Sequence, residues 1–583
     1  MKTVKININK QDVHVQEGLT ILEACRAQGI AIPTLCHLTE CKSKGACRIC
    51  VVEEVGKWNL VPSCASEVKD DMAILTHSKR SLASRRMSLE LILSNHRKDC
   101  LSCARNLNCE LQTLAQTLHV REDRFKGVKT EGRFDDLSSG LVRDTSKCIL
   151  CGRCVDACLN IQGLGVLTMM NRGFETRVGP VLDLSFKDVN CIECGQCILH
   201  CPVGALSEKE ELHAVVAALE DPKKFVIVQT APAVRASLGE EFGAPMGKRI
   251  TGKMVSALKQ VGFDRVYDTN VAADLTVLEE GHELLHRLES KGVLPLITSC
   301  SPGWINYLEK EYSNLIEHVS SCKSPHMMFG AILKSHFAKV KGLDPKDIVV
   351  VSIMPCTAKK GEKDRMTSEY KDVDHVLTTR ECGRLIKLYG LDLMTMNDAS
   401  FDQDMFGTSS GAGVIFGVSG GVMEAALRTV VEKLTNKPLA KLEFKELRMI
   451  KDIKEAEIDV NGTMVKCAAV STMKAAQVIL KQIQDGTSPY TFIEVMACPG
   501  GCINGGGQSI YSRNHDLKTT DVIRSRAKAL YDEDMDNVFR TAHTNPDILN
   551  LYRDFLGEPG SQIAHQLLHT HYKARAALNL EFD

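Results

Sequence analysis

The chain has 583 residues, with 72 Lys plus Arg against 73 Asp plus Glu, so bulk charge recruits neither nucleic acid nor an anionic membrane. Its length exceeds what one hydrophobic core fills, and about three to five domains are expected. Cysteine is the unusual component, with 24 residues in a chain whose aromatics reach only 5%.

Thiols at that density serve either disulfides or metal. The N-terminal MKTVKININKQDVHVQEG alternates charged and apolar residues and lacks the apolar core of a secretory signal. No run approaches the roughly 18 uncharged apolar residues of a transmembrane segment. The expectation is a cytoplasmic, reducing environment, in which C-x-x-C spacings favour metal.

Residues 2 to 9 and 11 to 16 read as two short strands, followed by a helical stretch LTILEACRAQG ending at Gly29. Cys36, Cys47, Cys50 and Cys64 then follow the layout of a plant-type 2Fe-2S centre with widened spacing. Soft thiolates suit iron, and a long loop lets four sulfurs converge. Cys25 reads as a small buried hydrophobe on the helix, and Cys41 as a weaker competitor for the iron. This unit is bounded at 1–77.

From Ser78 to about Leu118 the pattern turns helical, and inside it His96, Cys100, Cys103 and Cys109 form H-x3-C-x2-C-x5-C. A Cys3His set can be structural zinc or a 4Fe-4S cubane. Its position between two iron-sulfur units favours the cubane, in a segment bounded at 78–127.

Cys148, Cys151, Cys154 and Cys158 repeat, 43 residues later, as Cys191, Cys194, Cys197 and Cys201 followed by Pro202. Two C-x2-C-x2-C-x3-C runs are the bacterial two-cluster ferredoxin pattern, in which the fourth Cys of each run ligates the other cluster. One cubane is therefore assigned to Cys148, Cys151, Cys154 and Cys201, and the other to Cys158, Cys191, Cys194 and Cys197, in a domain at 138–209.

After Ala205, KKFVIVQTAP, GVLPLITSC and KDIVVVSIMPC are β-rich runs ending in small-residue or Pro loops, separated by helical stretches such as DLTVLEEGHELLHRLESKG. That alternation predicts parallel α/β units with ligands at the carboxyl ends of strands, where Cys300 and Cys356 fall. No G-x-G-x-x-G in a strand-turn-helix context supports nucleotide binding. Cys322, Cys382 and Cys467 have no partner spacing and read as buried packing residues.

The loops TSCSPGW, MPCTAKK and EVMACPGGCINGGGQ, with TAPAVR, DTNVAADLT and FGVSGGVMEAALR, closely resemble the signature loops of the FeFe-hydrogenases. The resemblance runs from residue 1 to 583. It implies a multidomain α/β and α+β protein: a β-grasp ferredoxin-like N-domain, a helical Cys3His segment, a two-cluster ferredoxin-like domain, an α/β catalytic domain at 210–515 and a small-subunit-like helical tail at 516–583. It implies one 2Fe-2S cluster, three 4Fe-4S clusters and an H-cluster, in which a cubane shares one cysteine sulfur with a two-iron subcluster carrying CO, cyanide and azadithiolate. By matching positions, Cys356, Cys498 and Cys502 are cubane ligands, with Cys502 the bridge. Lys359 matches a lysine that hydrogen-bonds a cyanide, Met354, Phe416 and Met496 match apolar walls, and Pro232 and Ala233 match a turn near the other cyanide.

One departure concerns the first loop, where many members have two adjacent cysteines and this chain has Cys300 and Ser301. Two arrangements stay open: Cys300 passes protons while Ser301 takes the ligand place, or Cys300 ligates the cubane and Ser301 or water passes protons. Glu280, Glu283 and Arg287 recur at i, i+3 and i+7 of one helix, a spacing that alone reads as a surface ion-pair ladder. The resemblance turns it into a proton relay of Glu280, Glu283 and Ser320 toward Cys300. The implied activity is reversible H2 chemistry, and a hydrogen sensor or a cluster-carrying scaffold is the alternative. Expected partners are a ferredoxin, or iron-sulfur and flavin subunits linked to NAD(P) or to a formate dehydrogenase. The tail reads as two helices whose His565, His569 and His571 serve packing and surface.

Overall fold

The structure is a computed structural model and describes residues 2–121, 124–365, 369–435, 437, 439, 441–460, 463–511 and 517–578. The first unit holds five strands, β1 (Thr3–Ile8), β2 (Gln11–Gln16), β3 (Val51–Glu54), β4 (Leu60–Pro62) and β5 (Ala73–Leu75), in the order β2-β1-β5-β3-β4. The helix Ile21–Ala27 starts where Thr20 and Glu23 cap each other reciprocally, and it buries Ile21, Leu22, Ala24 and Cys25. Burial pushes the Cys25 thiol up to about 11, as befits a packing residue.

The single helical region expected over 78–118 is two helices, Lys79–Asn95 and Glu110–Thr117, parted by the cysteine-bearing loop. Ser78 caps the first, and buried Arg85 ties it to the N-terminal sheet through Val51 O at 2.8 Å and Thr76 O at 2.8 Å. In the next unit β6 (Phe134–Asp135), β7 (Leu141–Asp144) and β10 (Leu206–Glu208) form one small sheet, and β8 (Thr168–Met170) pairs with β9 (Arg177–Gly179).

The largest unit contains β11 (Phe225–Thr230), β12 (Arg265–Asp268), β13 (Leu296–Ile297), β14 (Ile348–Met354), β15 (His375–Thr378), β16 (Ile453–Val460), β17 (Thr463–Ser471) and β18 (Phe492–Met496). They form two four-stranded sheets, β12-β11-β14-β15 and β13-β18-β17-β16. The first is parallel throughout, and its central strands are apolar runs because helices cover both faces. The second departs from the parallel expectation, since β16 and β17 are antiparallel while β17 and β13 run parallel to β18. The run GVLPLITSC yields only a two-residue strand, because Pro295 has no N–H for a ladder. The carboxyl ends of β11, β13, β14 and β18 lead into the loops bearing Pro232, Cys300, Cys356 and Cys498.

Among the described residues no helix is long and apolar enough to cross a membrane. The tail helix Thr519–Asp536 is tied to the helix Gly421–Thr435 by a buried ionic hub. Arg428 donates to both Asp534 oxygens at 2.8 Å and to Glu424 at 2.7 Å, and Arg448 and Arg540 complete the charge balance. Arg428→Met should lower unfolding stability of this unit by about 1–3 kcal/mol, read by calorimetry, because it removes charged hydrogen bonds from Asp534 and Glu424 while Arg540 and Arg448 still balance their charge.

Candidate active site

In the first unit Cys36 bonds Cys47, and Cys50 Sγ lies 3.3 Å from Cys64 Sγ, with the two pairs in electrostatic reach of each other. Lys44 from the same loop reaches Gly152 O at 2.9 Å and Asp156 at 2.8 Å, which docks this site on the two-run cysteine unit. Buried Arg153 stands between them, bonded to both Glu110 oxygens at 2.9 Å and close to Cys47 and Cys151. His96 is buried with an unpartnered Nδ1, and burial lowers its pKa, which leaves the neutral imidazole that a metal takes. Cys109 Sγ approaches Pro202 O at 3.7 Å, and a Cβ on Gly204 would stand 2.4 Å from Cys103 Sγ, so both lie against Cys201. Cys100 is exposed beside them.

The repeated runs line two separate cavities. One is bounded by Cys148, Cys151, Cys154 and Cys201, and the other by Cys158, Cys191, Cys194 and Cys197. The second cavity abuts the catalytic loops: Cys498 Sγ is 3.9 Å from Cys194 O, Thr357 Oγ1 donates to Glu193 O at 2.6 Å, and Gln196 donates to Asn504 O at 2.9 Å. Glycine is required here by contact. A Cβ on Gly506 would stand 2.2 Å from Cys194 O, and one on Gly505 would stand 2.1 Å from Pro355 O.

At the strand ends burial raises the thiol pKa of Cys356, Cys498 and Cys502; Cys356 adds to the rise at the other two, and Cys502 is pushed up to about 12. Buried thiols that resist ionisation together suit a cationic iron-sulfur cluster. Cys300 packs in one apolar cluster with Cys502. Burial and then Glu280, Cys502 and Glu494 hold its thiol well above the ordinary range, and Lys359 pulls against them. Ser301 Oγ instead accepts the Ala497 amide at 3.3 Å, next to Cys498. Phe416 and Met496 share one apolar cluster with Cys300 and Cys502, Ala233 packs with Cys502 behind it, and Met354 lies in the adjoining core.

Glu280 is buried, accepts Ser299 N at 3.3 Å, and is raised to about 8 by burial and by Glu283. Ser320 bonds Glu280 and donates to Glu283 Oε2 at 2.9 Å. Glu283 also pairs with Arg287 at 2.7 Å, so the ion-pair ladder and the carboxylate file coexist.

Residues 224–506 match the family described as iron only hydrogenase large subunit, C-terminal domain, and residues 520–575 match iron hydrogenase small subunit. NADP-reducing hydrogenase subunit HndD of Solidesulfovibrio fructosivorans is 44% identical over 99% of this chain and 100% of its own length. The chain belongs to the FeFe-hydrogenase family. Iron hydrogenase 1 of Clostridium pasteurianum is 39% identical over 98% of the chain and 100% of its own. A solved variant of [FeFe]-hydrogenase HydA1 from Chlamydomonas reinhardtii is 39% identical, covers 63% of this chain and 100% of that one, and has a TM-score of 0.57. Upstream, residues 1–79 match a 2Fe-2S cluster binding domain, 85–124 the NADH-ubiquinone oxidoreductase-G iron-sulfur binding region, and 142–205 a 4Fe-4S dicluster domain. This is a hydrogenase with iron-sulfur domains at its N-terminus.

Several residues around the hydrogenase pocket escape a reading of motifs. Lys359 donates to Glu362 at 2.9 Å and to Ser324 at 3.1 Å, and His326 Nε2 meets Glu362 at 2.7 Å. Burial opposes the Lys359 charge, yet Glu362 and Cys356 hold its pKa above the ordinary value. Gln508 joins Ala233 O at 2.8 Å to Cys502 O at 3.3 Å. Only Glu362 left a signal, three residues after Lys359 on one helical face.

Burial and Lys359 lower the His326 pKa to about 4, and its Nδ1 is unpartnered, so the folded imidazole is neutral. The unfolded chain binds that proton near pH 6.5, so stability falls as pH drops from about 6.5 towards about 4. His326→Gln keeps a donor for Glu362 without titrating. Its melting temperature should therefore fall less than that of the wild type between about pH 7 and about pH 5.

Proposed function

We propose that this hydrogenase interconverts protons and H2 in the pocket where Cys356, Cys498 and Cys502 hold the cubane of an H-cluster, Ser301 takes its fourth position and Cys300 carries protons. The observation behind this register is the divergence of two adjacent side chains: Cys300 faces Glu280, Cys502 and Lys359, whereas Ser301 lies with Ala497 beside Cys498. When bound, the H-cluster supplies the two-electron chemistry that joins or splits H2.

The chain's own part is to position charge and move protons. A proton on Glu283 Oε2 passes through the Ser320 hydroxyl to Glu280 and on to Cys300. Glu280, raised to about 8, both accepts and releases a proton near neutrality. Lys359, locked by Glu362 and Ser324, keeps a third ammonium donor for an anion in the pocket. Phe416 and Met496 keep the pocket apolar, which strengthens that interaction.

The residues grouped above would hold one 2Fe-2S and three 4Fe-4S clusters, which would supply a path for electrons to or from the pocket. The contact of Cys194 with Cys498 makes the second cubane of the repeat the last stop before the pocket. The 2Fe-2S and Cys3His sites both lie beside the first cubane, so two entry branches join there. The Solidesulfovibrio relative is a subunit of an NADP-reducing hydrogenase, which supports NAD(P)-linked subunits as partners of this chain; iron-sulfur or flavin cofactors in those subunits and a cytoplasmic setting are part of the same proposal. The strand order of the first unit, with β1 parallel to β5, fits a β-grasp fold. Boundaries near 77, 127, 138 and 209 follow the cluster-bearing units. The boundary at 515/516 lies outside the described residues.

Cys300→Ala should keep the iron content and the CO and cyanide infrared bands while H2 evolution from reduced viologen falls by at least about 100-fold. Loss of cubane iron in that variant would instead make Cys300 the fourth ligand. Glu283→Gln should likewise slow turnover without disturbing cluster assembly, and an unchanged rate would remove it from the relay.

A further inference from the structure

Glu283 is not the outer end of its hydrogen-bonded file. Its Oε1 is taken by the Arg287 guanidinium at 2.7 Å, a group that stays protonated and passes nothing on. Its Oε2 accepts from Ser320 Oγ at 2.9 Å, from the Ser321 amide at 3.1 Å and from the Ser321 hydroxyl at 3.4 Å. That hydroxyl meets Nδ1 of His569 at 2.8 Å, and Nε2 of His569 meets Glu279 Oε2 at 3.1 Å. Buried Glu279 is itself fixed by Tyr552 OH and by the Gly560 amide at 2.9 Å. Outside this pair, exposed His565 stacks parallel on His569 with centroids 4.7 Å apart, and exposed His571 lies 6.4 Å from His565.

A metal ion is one use for such a group, since Glu283, Cys322 and His569 each offer a donor atom, all within 4.8 Å of one another. Both imidazole nitrogens and both Glu283 oxygens are already hydrogen-bonded, however, and an ion would have to displace those partners. A simple pin between tail and core is the other use. It explains the contacts but not why each link from His569 to Glu283 carries an exchangeable proton, nor why two exposed imidazoles crowd its outer side.

We propose that His569, oriented by Glu279, loads protons onto Glu283 through the Ser321 hydroxyl, with His565 and His571 exchanging protons with solvent at its outer face. The proposal rests on the relay reading of Glu283 and extends it to the tail. In the inward step His569 Nδ1 gives its proton to Ser321 Oγ as the Ser321 hydroxyl proton moves to Glu283 Oε2. His569, itself buried, is left neutral and is reloaded by way of the exposed His565 and His571 on its outer side, so one proton enters for each that leaves. H2 oxidation runs the same steps outward. An imidazole suits the task because its ordinary pKa lies near neutrality and each ring nitrogen can hold a different partner.

The test uses the full-length, matured enzyme and H2 evolution from reduced viologen, with CO and cyanide infrared bands as the measure of an intact pocket. His569→Ala should lose about tenfold or more in rate with unchanged bands, and free imidazole should restore most of it, since the small base replaces the missing carrier. Ser321→Ala, which keeps its amide on Glu283, should show a comparable loss that imidazole does not restore. A wild-type rate in either variant, or a loss in His569→Ala that imidazole leaves untouched, overturns the proposal and makes His569 a pin. If His569→Ala fails to fold, the Ser321→Ala rate decides alone. Glu283→Gln separates the two levels: slow Glu283→Gln beside normal His569→Ala and Ser321→Ala removes only the histidine branch, whereas normal Glu283→Gln removes the relay and this extension with it.

Discussion

A thiol buried away from water keeps its proton, and a second thiol beside it makes the loss of that proton harder still. Cys148, Cys151, Cys191 and Cys502 are all pushed up to about 12 by burial, most of them with a neighbouring cysteine adding to it. Iron reverses the balance, because a cationic cluster needs thiolates and offsets their mutual repulsion. Metal loading is therefore part of folding here, as in any site whose ligands gather only in the native state. The loops at the strand ends are shaped around that requirement, and the ordered segments behind them exist to bring four such loops to one place.

The same clustering lines the cysteine sites up in one file. Cysteine sites are not scattered over the surface but abut in sequence: Lys44 and Arg153 link the 2Fe-2S site to the first ferredoxin-like cavity, Cys103 and Cys109 lean on Pro202 and Gly204, and Cys194 touches the loop of Cys498. The proposed proton file of Glu280, Ser320 and Glu283 reaches the pocket through Cys300 instead, by way of carboxylates and a hydroxyl. Separation of the two supplies follows from the two-sheet architecture, in which β13 delivers Cys300 toward the long helix Asn270–Ser290 while β14 and β18 deliver sulfur toward the ferredoxin-like unit.

Local spacing made the N-terminal sites legible, because ligands a few residues apart are constrained by the chain itself. The catalytic set was legible only through resemblance: Cys300, Cys356 and Cys502 are far apart in sequence, and their convergence depends on strand pairing that no short pattern encodes. The orientation of Cys300 against Ser301 required the backbone of the loop. His569 was read as packing, and it does pack, but its partners Ser321 and Glu279 lie some 250 to 290 residues away. The antiparallel pairing of β16 and β17 was likewise set by neighbours in the sheet rather than by local propensity.

The glycine at 506 leaves no gap between the catalytic loop and the carbonyl of Cys194. Two cofactor sites seated on backbones in that contact share one rigid wall, so the tunnelling distance between them is set at folding and is insensitive to domain motion.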